Sequence, residues 1–294
     1  MKSLIKVWKI LVFTNILIAI GAGAQVLLSY AVFQIPYNIY IVQVEFCATL
    51  LLYNLSIWMS KPKDYTKSPY ERTRWVFDHM SIFWTISLLA LTLLLFALTQ
   101  ISLQTLIYFG FIGVISLAYV LPILNFKGER KSFRHLPYIK VFHIALIWSL
   151  STVGLVYIES GNTLQDLNYG SLLYLLLCKF LFIILITLPF DLRDMKQDSY
   201  YHLKTVSIAL GERKTKVLCY LLLMAHIILV LFMQTLGSIK IGLILCDILV
   251  LLLFNFKIFK ERNSFLNVYL LDLMLVMQYL ICVVCIQIVD NFIR

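Results

Sequence analysis

Long apolar stretches recur along this chain with only short polar gaps between them, and they leave it few ways to fold. A helix rises about 1.5 Å per residue, so roughly 17–25 apolar residues cross the hydrocarbon core of a bilayer. Stretches of that length lie near 8–33, 38–59, 80–99, 102–124, 138–158, 170–190, 216–236, 239–256 and 265–289. The first is over-long, and we expect it to end near Gly23 and lead into an outer segment. Hydrophobic residues fill 61% of the 294 positions and charged residues 14%, against about 45–50% and about 25% in a soluble domain. Lipid is therefore the solvent for most of the chain. The sequence predicts an all-α polytopic membrane protein of about nine transmembrane helices, forming a single integral membrane domain over residues 1–294.

The basic residues set the orientation, because Lys- and Arg-rich loops resist translocation. With sides alternating from helix to helix, 22 of the 25 basic residues fall on one face, in the groups Lys2 to Lys9, Lys61 to Arg74, Lys127 to Lys140, Arg193 to Lys216 and Lys257 to Arg262. The other face receives Lys240 and Arg294, and Lys179 lies inside a helix. An odd number of spans then puts the N-terminus in the cytoplasm and the C-terminus outside, in the inner (cytoplasmic) membrane. The net charge of +10 follows from this topology and requires no nucleic-acid partner. An alternative reading of the start is a signal peptide, since Lys2, Lys6 and Lys9 precede an apolar run ending in Ala22-Gly23-Ala24. Cys282 and Cys285 form a CxxC within an apolar helix, with no second ligand pair, which reads as packing.

The ionisable groups gather in the inner loops at 60–79, 125–137 and 191–215. The sixth span ends Leu188-Pro189-Phe190-Asp191-Leu192-Arg193-Asp194-Met195-Lys196-Gln197-Asp198. If helical pitch persists past Pro189, Asp191, Asp194 and Asp198 share one face, while Arg193 and Lys196 point elsewhere. Three carboxylates at a helix C-terminus repel one another and also meet an unfavourable macrodipole, so a counter-charge is required. Mg²⁺ supplies one, because it is commonly held by one or two carboxylates together with waters and substrate phosphates. A solvated turn, with the acids paired to Arg193, Lys196 and Lys204, is the other reading.

Asp191-Leu-Arg-Asp194-Met-Lys-Gln-Asp198, followed by Leu203-Lys204-Thr205-Val206 and Ala209-Leu210-Gly211, resembles the second aspartate-rich motif of the UbiA superfamily of intramembrane prenyltransferases. Tyr119-Val-Leu-Pro122, then Lys127, resembles the Tyr-x-x-Pro stretch that follows the fourth helix of that family. The resemblance implies a UbiA-like helical bundle that transfers a prenyl group from a polyprenyl diphosphate to a lipid-soluble acceptor, aromatic ones included. It further implies Mg²⁺ held by Asp194 and Asp198 with Asp191 assisting, and basic residues such as Arg72, Lys127, Arg130 and Lys204 on the diphosphate oxygens. Aromatic side chains would shield the allylic cation. Tyr and Phe are also ordinary membrane packing and interface residues.

The first motif of the family, Asn-Asp-x-x-Asp-x-x-x-Asp, is degenerate. At the inner end of the second helix stand Asn54-Leu55-Ser56-Ile57-Trp58-Met59-Ser60-Lys61-Pro62, which keep only the asparagine, Asn54, as a substrate-binding candidate. Lys61, Lys63, Lys67, Arg72 and Arg74 crowd the same loop, either replacing lost metal charge or enforcing topology. Charges inside the bilayer are costly and are usually paired or functional. Glu45 and Lys179 sit at similar depths, roughly 14 and 18 Å from their inner ends, and so form a candidate pair, with Asp247 and Asp272 as a second set. His143 and His226 read as satisfied core or interface residues. Three functions follow: a Mg²⁺-dependent prenyltransferase, a catalytically inactive homologue binding isoprenoid lipid or a partner protein, and, behind these, a transporter using the buried charges. The last lacks the paired, Gly/Pro-broken short helices that mark transporter sites.

The charge asymmetry generates the first prediction. In a Cys-free variant, a single cysteine at Ser68 or Ser132 is expected to resist a membrane-impermeant thiol reagent added from outside, and one at Asn162 to react; the reverse pattern would invert the topology.

Overall fold

The computed structural model describes residues 2–68, 70–121, 124–126, 129–133, 136–161, 168–200, 203–260 and 267–293. Among them, nine helical segments are long and apolar enough to cross a membrane. The spans are α2 (Ile16–Phe33), α3 (Ile39–Met59), α5 (Met80–Leu98), α6 (Leu103–Val120), α7 (Ile139–Ser149) with α8 (Leu155–Gly161), α9 (Tyr169–Tyr200), α10 (Val206–Phe232), α11 (Gly237–Leu253) and α12 (Leu270–Ile293). The other helices are α1 (Lys2–Phe13) and α4 (Glu71–Asp78). A two-stranded antiparallel hairpin, β1 (Leu124–Phe126) and β2 (Glu129–Lys131), pairs Leu124 with Lys131 and Phe126 with Glu129.

The first apolar stretch departs from expectation. It does not end near Gly23, because α2 runs on to Phe33 and the break comes earlier, at Asn15. Asn15 takes φ +61°, a left-handed conformation that asparagine tolerates better than most residues. The chain is thereby split into α1 and the span α2. Phe13 packs its ring 5.7 Å from that of Trp75 on α4, and Lys9 Nζ lies 2.6 Å from Glu71 Oε1. These contacts hold α1 against α4.

The bundle closes when α2 packs against both α3 and α12, α7 against α9, α9 against α10, and α11 against α12. No hydrophobic effect drives helices together in lipid, so small residues that allow close approach count for more. Gly242 is such a place, since a Cβ there would lie 2.7 Å from Cys282 Cα. Outward positions such as Leu88, Leu95, Phe111, Val114, Leu221 and Met224 are exposed apolar side chains, as a lipid-facing surface requires. All six cysteines are buried free thiols.

The predicted pairings of intramembrane charge are not formed. Glu45 accepts a hydrogen bond from Ser151 Oγ at 2.7 Å, while Lys179 Nζ donates to Gln25 Oε1. Gln25 also donates to Leu275 O at 2.7 Å. Asp247 pairs with His226 Nδ1 at 2.9 Å and not with Asp272, which lies near Arg72 and Arg193. Each group is instead bonded to a neighbour on another helix. Ser151 stands in a π-helical turn, Leu150–Gly154, where the wider backbone turns it toward Glu45.

Overpacking the α11–α12 contact gives the next prediction. Gly242→Val is expected to destabilise by about 1–3 kcal/mol, the usual cost of forcing extra methyl groups into a packed interface, read as a lower midpoint in thermal unfolding of the purified protein; an unchanged midpoint would mean that α11 and α12 separate easily.

Candidate functional site

The site lies where α9 emerges from the apolar core. Helical pitch does persist past Pro189, and α9 continues to Tyr200. Asp191 is fully buried and Asp198 is 2% exposed, so these acids are not a solvated turn. Their counter-charge comes from elsewhere in the fold. Lys140 Nζ lies 2.8 Å from Asp191 Oδ1 and 3.0 Å from Asp198 Oδ2. Arg193, read from spacing as pointing elsewhere, instead makes a two-point contact with Asp194, Nε to Oδ1 at 2.7 Å and Nη2 to Oδ2 at 2.9 Å. Lys196 is exposed.

Local structure explains how Lys140 arrives there. Leu203 N–H donates to Asp198 O at 2.9 Å, and Tyr138 N–H donates to Lys204 O at 2.7 Å. The segment after α9 thus folds back and ties the start of α7 to the end of α9. Tyr138 takes φ +63° and starts α7, so that Lys140 stands in its first turn. Thr205 caps α10 by accepting from Ile208 N–H at 3.3 Å, and Gly211 breaks that helix at φ +76°, a conformation open to glycine.

Opposite α9, α4 brings Arg72 inward. Its Nη1 donates to Tyr269 Oη at 3.1 Å, and its Nη2 donates to Asn15 Oδ1. Asn15 Nδ2 in turn donates to Asn54 Oδ1 at 2.8 Å, and Asn54 Nδ2 to Ser87 Oγ at 2.9 Å. Asn54 is therefore brought to the site as a support for Asn15 and does not line its cavity. Tyr269 is flanked by two guanidinium groups, with Arg72 Cζ 5.7 Å and Arg193 Cζ 5.2 Å from its ring centroid.

These groups surround a cavity of about 290 Å³. Its polar mouth holds Arg72, Lys140, Asp191, Arg193, Asp194 and Asp272, and its apolar depth is formed by Ile18, Ile144, Trp148, Ile183, Ile186 and Leu275. A second cavity, of about 450 Å³, adjoins it and shares Arg72, Arg193, Asp194 and Tyr269. Both Asp191 carboxylate oxygens and Arg72 Nε are buried atoms with no hydrogen bond in the protein, Asp191 Oδ1 having only its ion pair with Lys140.

Of the other expected contributors, Lys204 is exposed and reaches the site only through its carbonyl. Lys127 lies outside the described residues, as does the side chain of Arg130. Lys61 lies over the rings of Tyr65 and Phe77, and Arg74 donates to Ser68 O, so Arg72 is the member of that basic loop that lines both cavities. Asn15, Lys140, Tyr269 and Asp272 were not marked by any motif. An asparagine isolated between two apolar helices was the one available signal for Asn15.

Among the described residues, no group of three or more His, Cys, Asp or Glu side chains forms a ready metal cage. The donor set does fit an ion that keeps its waters and shares phosphate oxygens: carboxylates on one helix face, one of them with a buried oxygen that no protein group bonds.

No family model matches the chain, and no curated protein matches it. Solved structures do. A UbiA homolog from Archaeoglobus fulgidus, bound to GPP and Mg²⁺, superposes with a TM-score of 0.63 at 12% identity over 94% of this chain and 99% of that one. The apo UbiA homolog from Aeropyrum pernix K1 gives 0.63 at 14% identity, over 94% and 97%. A digeranylgeranylglyceryl phosphate synthase gives 0.53 at 18% identity, over 97% and 98%. The chain thus has the fold of the UbiA-type intramembrane proteins along nearly its whole length.

The Asn54–Asn15–Arg72 chain generates a prediction of coupling. Asn54→Ala leaves the buried Asn15 amide without its acceptor and is expected to cost about 1–3 kcal/mol. In a thermal-unfolding double-mutant cycle with Arg72→Ala, the two losses are expected to miss additivity by about 0.5 kcal/mol or more; strict additivity would mean that Asn54 does not position Arg72.

Proposed function

We propose that this chain is a UbiA-superfamily prenyltransferase, moving a prenyl group from a polyprenyl diphosphate to a lipid-soluble acceptor. The observation that carries the reading is the division of the 290 Å³ cavity into a charged mouth and an apolar depth. A prenyl diphosphate is divided in the same way, into an anionic head and a hydrocarbon tail. The fold shared with a homologue solved with GPP and Mg²⁺ supports the same reading.

Arg72, Lys140 and Arg193 are the cations placed to meet the phosphate oxygens. Arg72 brings a planar fork whose Nε has no partner in the protein. It stands on the side where the degenerate first motif supplies Leu55, Trp58 and Pro62 in place of aspartates. Asp194 and Asp198, with Asp191, are the residues that would hold Mg²⁺, and the bound ion supplies charge neutralisation for the departing diphosphate. Four carboxylates face three cations around the mouth, so an incoming diphosphate needs added positive charge. Tyr53, Trp148, Phe190 and Tyr269 line the cavity, where their ring faces stabilise an allylic cation and keep water from it. The site lies at the basic end of the bundle, which supports a cytoplasmic mouth, with the N-terminus cytoplasmic and the C-terminus outside.

One observation favours a second reading, a catalytically inactive homologue that binds isoprenoid lipid or a partner protein. Asp191, Asp194 and Asp198 each already have a cationic partner within the chain.

Prenyl transfer by the protein reconstituted in membranes, over a panel of acceptors and chain lengths, separates the two. Turnover is expected to fall about tenfold or more in Arg72→Ala, the scale of roughly 1.4 kcal/mol of transition-state stabilisation. Isothermal titration is expected to show weaker binding of Mg²⁺ with diphosphate in Asp194→Asn and Asp198→Asn. Retained isoprenoid binding with no turnover for any pair would establish the inactive homologue.

A further inference from the structure

The acidic motif and Lys140 are each badly placed alone. Asp198 sits in the last turn of α9, where the helix dipole disfavours a carboxylate, and Lys140 sits in the first turn of α7, where it disfavours an ammonium. Their side chains are nearly closed from solvent, 15% exposed for Lys140, 0% for Asp191 and 3% for Asp198. Neither charge has water to fall back on, and a buried charge without a partner is strongly disfavoured. The ammonium lies at ion-pair distance from both carboxylates, 2.8 and 3.0 Å, and so supplies the positive charge that a divalent ion would otherwise supply there.

We propose that Lys140 is the resident counter-ion of the acidic motif, so that the resting site has little affinity for a divalent cation and takes one up only together with an anion. The diphosphate oxygens draw the Lys140 ammonium off Asp191 and Asp198, and the carboxylates so released become ligands. The geometry supports this order over a preloaded metal, because Asp191 Oδ1 and Asp198 Oδ2 are both already engaged. Asp194 is likewise held at both oxygens by Arg193. Neither oxygen of the buried Asp191 has a hydrogen bond, and its Oδ1 has the Lys140 ammonium as its ion-pair partner. An ion that seeks about six oxygens therefore meets three acids each already neutralised by a cation of the chain. The second half of the inference rests on the prenyl-diphosphate reading; the first half, resident neutralisation by Lys140, does not.

The test uses the full chain in nanodiscs and Mn²⁺, which shares the oxygen-rich octahedral preference of Mg²⁺, followed by electron paramagnetic resonance. Added alone, Mn²⁺ is expected to remain free with the wild type. Lys140→Met is expected to gain a site at least about tenfold tighter, about 1.4 kcal/mol, that Asp191→Asn removes in the same background. Inorganic pyrophosphate added with Mn²⁺ is expected to restore uptake by the wild type. Lys140→Gln keeps a polar end of similar reach and replaces the methionine variant if the latter elutes as aggregate. Mn²⁺ binding by the wild type alone, as tight as in the Lys140 variants and lost in Asp191→Asn, would overturn the inference while leaving the transferase reading intact. Absence of prenyl transfer would overturn that reading without altering the Mn²⁺ result.

Discussion

One ammonium held between two buried carboxylates sets the geometry on which the polar end of this bundle depends. Lys140 belongs to the start of α7 and Asp191 and Asp198 to the end of α9, and 58 residues separate Lys140 from Asp198. In an environment of low polarizability the three charges are tolerated only together, so α7 and α9 have a register fixed by electrostatics as well as by packing. The backbone bonds from Leu203 to Asp198 and from Tyr138 to Lys204 tie the segments flanking that triad together. On the proposed reading, an entering ligand must be negative enough to compete for Lys140, which would favour phosphate-bearing ligands over neutral ones.

A second chain of contacts serves the opposite wall. Asn54, the surviving asparagine of the degenerate first motif, acts through Asn15 on Arg72. On this side, where the degenerate first motif has no aspartates, stands an arginine bonded to Asn15, which is itself bonded to Asn54. Arginine provides fixed charge and directional donors but does not bridge acid to phosphate as a metal does. On the proposed reading, this wall would bind an anion through arginine alone, without a shared metal.

Deeper in the bilayer, the buried polar groups form separate local settlements: Glu45 with Ser151, Lys179 with Gln25, and His226 with Asp247. None of the three lines the 290 Å³ cavity. Each brings together two different helices, and in lipid such bonds add a contribution of about 0.6 kcal/mol apiece to associations otherwise made by close packing. They orient helices whose apolar surfaces alone would fit in several rotations.

The sequence by itself determined the membrane class, the nine spans, the basic end and the helical face carrying Asp191, Asp194 and Asp198. These are local properties: run length, charge per loop and a pitch that survives Pro189. It also marked Arg72, although as one of five basic residues in a loop. Tertiary structure alone decided that Arg72 and not Lys61 or Arg74 lines the cavity, that Lys140 and Arg193 neutralise the acids, that Asn15 links Asn54 to Arg72, and that Glu45 and Lys179 go to different partners. The physical reason is that spans apolar on nearly every side carry no strong sequence signal for their rotation about the helix axis. Depth can be counted along the chain, but azimuth is fixed only when the helices pack, and azimuth chooses which side chains meet.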